Sequence, residues 1–177
     1  MNTLTYIQKK TLVAYEMFFG NRYVPNKTSD NNVLHVETEI MCYLLKMAGV
    51  EIGDYGFTWD IQGPYSPGLL ASLQSLDRLS IETQKFYDSN PDARKYISGE
   101  YHDDVQNLSE MLEIKQHKNQ QVRWVELLGS LTYIGRTIYF GEKFDIVNRK
   151  LMQEKSYFTD KSMNKHAWDL LICAKLL

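Results

Sequence analysis

Two cysteines and four prolines are all that 177 residues contain of these types, and glycine occurs only ten times. So few cysteines exclude a disulfide-built scaffold, and no Cys-x-x-Cys pair is present for a zinc finger or a thioredoxin-type centre. Glycine and proline are too sparse for a collagenous or low-complexity chain. No run approaches about 18 apolar residues, so no membrane-spanning helix is expected. The stretch from Met1 to Lys10 lacks the basic segment and apolar core of a signal peptide, which points to a cytoplasmic protein. Charge of one sign is also missing. Twenty basic against 22 acidic residues leave a net charge of −2. That balance argues against a surface given over to nucleic acid, while leaving room for one basic face.

What is present is an ordinary globular composition, 44% hydrophobic and 24% charged. A chain of this length buries roughly 70% of its unfolded surface and needs neither a metal nor a disulfide to fold. Cys42 and Cys173 sit among apolar neighbours and read as buried free thiols.

Apolar spacing gives the elements. Leu4, Ile7, Thr11, Ala14 and Phe18 share one helical face, predicting a helix over about 4–19 that Gly20 and Asn21 end. A polar loop covers 26–32. A second helix is expected over about 36–48, with Glu37 and Glu39 at its positive end, Ile40, Tyr43, Leu44 and Met47 on its apolar face, and Gly49 as its stop. The aromatic alternation within 51–62, Phe57 and Trp59 against Thr58 and Asp60, predicts a short strand.

Gly63-Pro64-Tyr65-Ser66-Pro67-Gly68 is the sharpest local signal. Gly63 and Pro64 force a turn, Ser66 has N-cap chemistry, and Pro67 suits the first helical position. The helix that follows, to about Asp77, would bury Leu69, Leu70, Leu73 and Leu76. The stretch 78–104 is irregular, with a breaker cluster at 88–92. Helices resume near Asp103, with Val105, Leu108, Met111 and Leu112 on one side. They continue over about 121–140 on a broad apolar stripe, then over 145–154, and over 160–175 capped by Thr159 or Asp160.

Motifs for chemistry are weak. No Gly-x-Ser-x-Gly elbow and no phosphate-cradling glycine loop occurs, and Ser66 reads as a cap. Cys42 and His35 lie two helical turns apart, too far for a direct hydrogen bond. His102-Asp103-Asp104 offers adjacent donors that diverge on a helix, so Asp103 reads as an N-cap rather than a metal ligand. His117 and His166 need no role. Neither a cofactor nor a metal is expected. The helix after Ser66 would be the recognition-like helix of a DNA binder, yet it carries no Lys or Arg and offers Gln74 alone before Arg78. The basic pairs Lys9–Lys10, Lys115–Lys118, Arg149–Lys150 and Lys161–Lys165 are scattered, and phosphate binding returns only if three of them share a face. Gln62, Tyr65, Gln74 and Arg78 remain outward on the turn's edge, a mixture that suits a protein interface. Tyr65 reads either as the anchor of that interface or as a ring packed back on Trp59 to hold the turn.

Three patches resemble the YwgA-like proteins of bacteria and archaea, and more loosely the Panacea or SocA-like antitoxin domain. The first runs from Thr38-Glu-Ile-Met-Cys-Tyr-Leu-Leu-Lys through Tyr55-Gly-Phe-Thr-Trp to Gly63-Pro-Tyr-Ser66. The second is Trp124-Val-Glu-Leu-Leu-Gly-Ser-Leu-Thr-Tyr-Ile134, similar to the families' central helix, and the third lies within Phe158–Leu171. Met41, Cys42 and Gln62 depart from the pattern. The resemblance implies a winged-helix-like domain that acts by binding. The expected architecture is a mainly α, single helical domain over 1–177 of about seven helices with a small strand or wing element. Its winged-helix-like part would cover about 36–80 and its helical part about 103–177. The expected function is a non-catalytic accessory protein that engages another protein, as an antitoxin, adaptor, or phage- or defence-system subunit. A nucleic-acid-binding winged-helix regulator is the alternative.

Overall fold

The computed structural model describes residues 3–25, 31–97 and 99–177, so most of the expected polar loop lies outside the described residues. The fold is mainly helical with one small antiparallel hairpin. Helix α1 is Tyr6–Phe19 and α2 is Asn31–Met47. The hairpin pairs β1, Thr58–Asp60, with β2, Gly63–Tyr65. Then come α3, Pro67–Arg78; α4, Ser80–Ser89; α5, Gly99–Met111; α6, Gln121–Tyr133; α7, Phe144–Glu154; and α8, Lys161–Cys173. Short 3-10 turns fill Ala93–Tyr96 and Ile114–Gln120, and a π-turn continues α6 over Ile134–Ile138.

The local rules explain the ends. Thr5 caps α1 in a reciprocal box with Gln8, and Gly20 closes it in the left-handed region at φ 76°. Asp160 caps α8 through the N–H groups of Ser162 and Met163. Ser66 caps α3 by accepting from the N–H of Leu69, with Pro67 in the first turn as expected. Ser66→Ala should cost about 1 kcal/mol of stability, read as a fall in the denaturation midpoint; an unchanged midpoint removes the cap from the account of α3.

Helix α6 is the centre of the molecule. Trp124, Val125, Leu127, Leu128 and Leu131 are fully buried, and α6 packs against α2, α7, α8 and the hairpin. Gly129 lets α2 come close: a Cβ there would lie 2.6 Å from Ile40 Cγ2 and 3.4 Å from Pro64 Cδ. One glycine thus sets both a helix crossing and the seat of the hairpin.

Several expectations are corrected. Helix α2 starts five residues before Val36, so Glu37 and Glu39 lie in its interior and are buried instead of complementing its first turn. The strand is confined to Thr58–Asp60, because the rest of 51–62 has no pairing partner. Part of the irregular stretch is α4, which buries Thr83, Phe86 and Tyr87. Asp103 is inside α5, which begins at Gly99, and so does not stand at the N-cap of this helix. Leu70 is half-buried, while Ile7 and Met111 are exposed at 41% and 42% because each stands at the margin of its helix's apolar stripe. Cys42 is buried but Cys173 is exposed in the last turn of α8, and both thiols are free.

Candidate functional site

The hairpin is built on Gly63. Its φ of 120° is a conformation that a side chain disfavours, and it lets the two-residue turn Ile61–Gln62 fold Asp60 back onto Gly63. The cross-strand register then sorts the aromatics. Trp59 opposes Pro64, whereas Thr58 opposes Tyr65. Successive strand residues face opposite sides, so Tyr65 and Trp59 point to different faces of the hairpin.

Trp59 faces α6. Its ring lies 5.3 Å from that of Tyr133, and the Lys155 ammonium stands 5.5 Å from the Trp59 centroid. Lys155 is almost wholly buried and pairs with Glu126 at 2.5 Å; the Tyr157 hydroxyl donates to the same Glu126 oxygen. Burial pushes the Lys155 ammonium below its usual range, opposed by Glu126 and Asp60. Beside them the Ser130 hydroxyl is buried without a hydrogen-bond partner among the described residues.

Tyr65 faces the other way, into a cleft of about 160 Å³ between the hairpin and α2. Glu39 forms its buried floor together with Val36, Ile40 and Pro64, and Tyr65 and Leu70 make half-buried sides. Asp60 and Gln62 are exposed at the mouth. Glu39 accepts the N–H of Ser66 on Oε1 at 3.2 Å. Burial raises its carboxyl to about 7, with that N–H opposing and the nearby Asp60 adding to the rise. The folded chain therefore keeps this proton longer than the unfolded chain, and the group's contribution to stability falls as pH rises from 4.5 towards 7. His35, also on the cleft, is held at 2.9 Å by Asp77 of α3.

Of the residues singled out from the sequence, Tyr65, Gln62, Gly63 and Pro64 line this cleft. Ser66 is tied to its floor through Glu39. Gln74 and Arg78 stand exposed further along α3 and are not among the residues lining it. Glu39, Asp60 and His35 were not marked as site residues by sequence. The available signal was a pair of acids, Glu37 and Glu39, set in an otherwise apolar helix. Glu37 serves the fold instead, accepting from Tyr15 at 2.6 Å and from Gln121 at 2.9 Å and so joining α1, α2 and α6. His117 and His166 flank Trp124, and His166 meets Glu113 at 2.8 Å.

Among the described residues, no group of three or more His, Cys, Asp or Glu side chains is placed to hold a metal ion, and no helix is long and apolar enough to cross a membrane. The basic pairs are interleaved with acids. Arg149 and Lys161 share a shallow depression with Asp145, Lys161 bonds Asp145 at 2.8 Å, and Lys165 pairs with Asp169. The Lys161 ammonium holds the Asp145 carboxyl below its usual range. Comparison of the chain with protein-family models, with curated proteins and with solved structures finds no match in any of the three.

Proposed function

We propose that this is a non-catalytic, cytoplasmic accessory protein that engages another protein through the outer edge of its hairpin. The observation that carries the reading is the tip itself. Ile61 is 79% exposed there, beside Gln62 and next to the face that bears Tyr65. A large aliphatic side chain held out on a tight turn, with an aromatic and an amide beside it, has the composition of an interface centre. The resemblance in the Gly63–Ser66 turn supports an antitoxin, adaptor, or phage- or defence-associated role. The nucleic-acid alternative is weaker, because the hairpin and α3 carry Arg78 as their one basic residue and the lysines of α7 and α8 face carboxylates.

Affinity capture from the native host tests this reading. Tyr65→Ala should keep the parent melting temperature and lose the captured partner, with about 2 kcal/mol or more of binding free energy removed if Tyr65 is an anchor. A variant that melts several degrees lower and still captures the partner would assign Tyr65 to the fold and overturn the proposal.

A further inference from the structure

We propose that the cleft beneath the hairpin receives a lysine or arginine side chain of the partner protein, a reading that rests on the docking role of the same edge. The cleft is closed on the sides by Leu70 and Tyr65 and ends on a floor of Glu39, Val36, Ile40 and Pro64. Glu39 is 6% exposed. Only Oε1 has a hydrogen-bond partner among the described residues, the Ser66 N–H, which leaves Oε2 for an incoming donor. Asp60 stands at the mouth, near enough to act on the Glu39 charge.

Two basic groups lie near this pair, and each has a carboxylate of its own: His35 is engaged by Asp77, and Lys155, across the hairpin, pairs with Glu126 while also feeling the Asp60 charge. The cleft is thus an acidic end on an apolar shaft. That is the complement of a long cationic side chain, whose methylenes cover apolar surface while its head takes charge-assisted hydrogen bonds. The exposed Ile61 beside the mouth supplies contact for the backbone that carries such a side chain. A free metal ion does not suit the site, since among the described residues no three His, Cys, Asp or Glu side chains are placed to hold one.

Entry of a cation should also favour the ionised form of Glu39 and release its proton. Binding should therefore strengthen as pH rises through 7.

The test uses the full chain, labelled with nitrogen-15, and three blocked tripeptides, Gly-Arg-Gly, Gly-Lys-Gly and Gly-norleucine-Gly, at millimolar concentration. The expected result is saturable movement of the Gly63 and Ser66 amide signals with the arginine and lysine peptides and none with norleucine. Glu39→Gln, which still accepts the Ser66 N–H, and Asp60→Asn, at an exposed position, should each weaken binding about tenfold. Parent binding should be roughly fivefold tighter at pH 8 than at pH 6, and Glu39→Gln should flatten that dependence. Equal shifts with norleucine, no shifts at Gly63 and Ser66, or full affinity in both variants would overturn the proposal. Spermidine binding more tightly than either peptide would overturn the assignment to a partner side chain. The titration needs no partner, so it stands apart from the capture experiment. A captured partner indifferent to both substitutions would refute the cationic side chain and leave the docking role intact. Peptide binding together with a partner indifferent to Tyr65→Ala would do the reverse.

Discussion

Trp124→Ala is expected to lower the free energy of unfolding by about 3–5 kcal/mol, the range for deleting a large aromatic from a packed core. Trp124 is fully buried, and its indole N–H donates to the Leu112 carbonyl at 2.9 Å. The His117 ring stacks on it with centroids 3.9 Å apart, and the His166 ring lies 6.1 Å away. The side chain therefore joins the end of α5, the 3-10 turn over Ile114–Gln120, α6 and α8. Truncation leaves a cavity at that junction and an unpaired carbonyl within it. Trp124→Phe keeps most of the ring but not the donor, and should lose about 1–3 kcal/mol. Equilibrium urea unfolding measures both. A loss under about 1 kcal/mol for the alanine variant would mean that the junction collapses to fill the space, and that Trp124 is no hub.

Lys155→Ala should be comparably damaging, by about 3–5 kcal/mol, because it removes one partner of a buried ion pair and leaves the other charged. The Lys155 side chain is 1% exposed and that of Glu126 13%. The Lys155 ammonium also stands over the Trp59 ring and close to Gly63 of the hairpin. The physics makes a second demand. Burying both charges has a desolvation cost, so replacing the pair together, Lys155→Met with Glu126→Leu, should bring stability back to within about 1–2 kcal/mol of the parent. Chemical denaturation of the two variants and the parent gives the comparison. If the double variant is as unstable as Lys155→Ala, restoring the volume of the lysine stem is not enough, and the charged pair with its hydrogen bonds is what holds this junction.

The helices were legible in the sequence where a single apolar stripe decides the structure. The faces of α3 and α6 and the Ser66 cap follow from spacing and cap chemistry alone. Legibility failed where burial came from several sides. Glu37 and Glu39 look like first-turn acids because a sequence shows their charge and not the neighbours that enclose them. Tyr15 and Gln121, which hold Glu37, are 22 and 84 residues away along the chain. Helix α4 escaped notice because its apolar positions are few and a breaker cluster follows directly. The candidate site was half legible. Gly63, Pro64 and Tyr65 announce a shaped turn, but the cleft beneath it needs α2, and only tertiary packing brings Glu39 to Ser66. The side to which Tyr65 points follows from the register Thr58↔Tyr65, which the alternation of aromatics alone did not specify.

The π-turn at Ile134–Ile138 has a consequence for how the end of α6 meets the rest of the molecule. A π-turn holds one residue more than the α-helix needs. The extra residue here widens the backbone where Gly135 meets Trp168 and Leu177; a Cβ on Gly135 would lie 2.7 Å from Leu177 Cδ2. Because the widened turn stands at the C-terminal end of the α6 segment, just before Tyr139 leaves helical geometry, it seats the last residues of the chain on one side and on the other places Arg136 to reach the Met47 carbonyl at the end of α2.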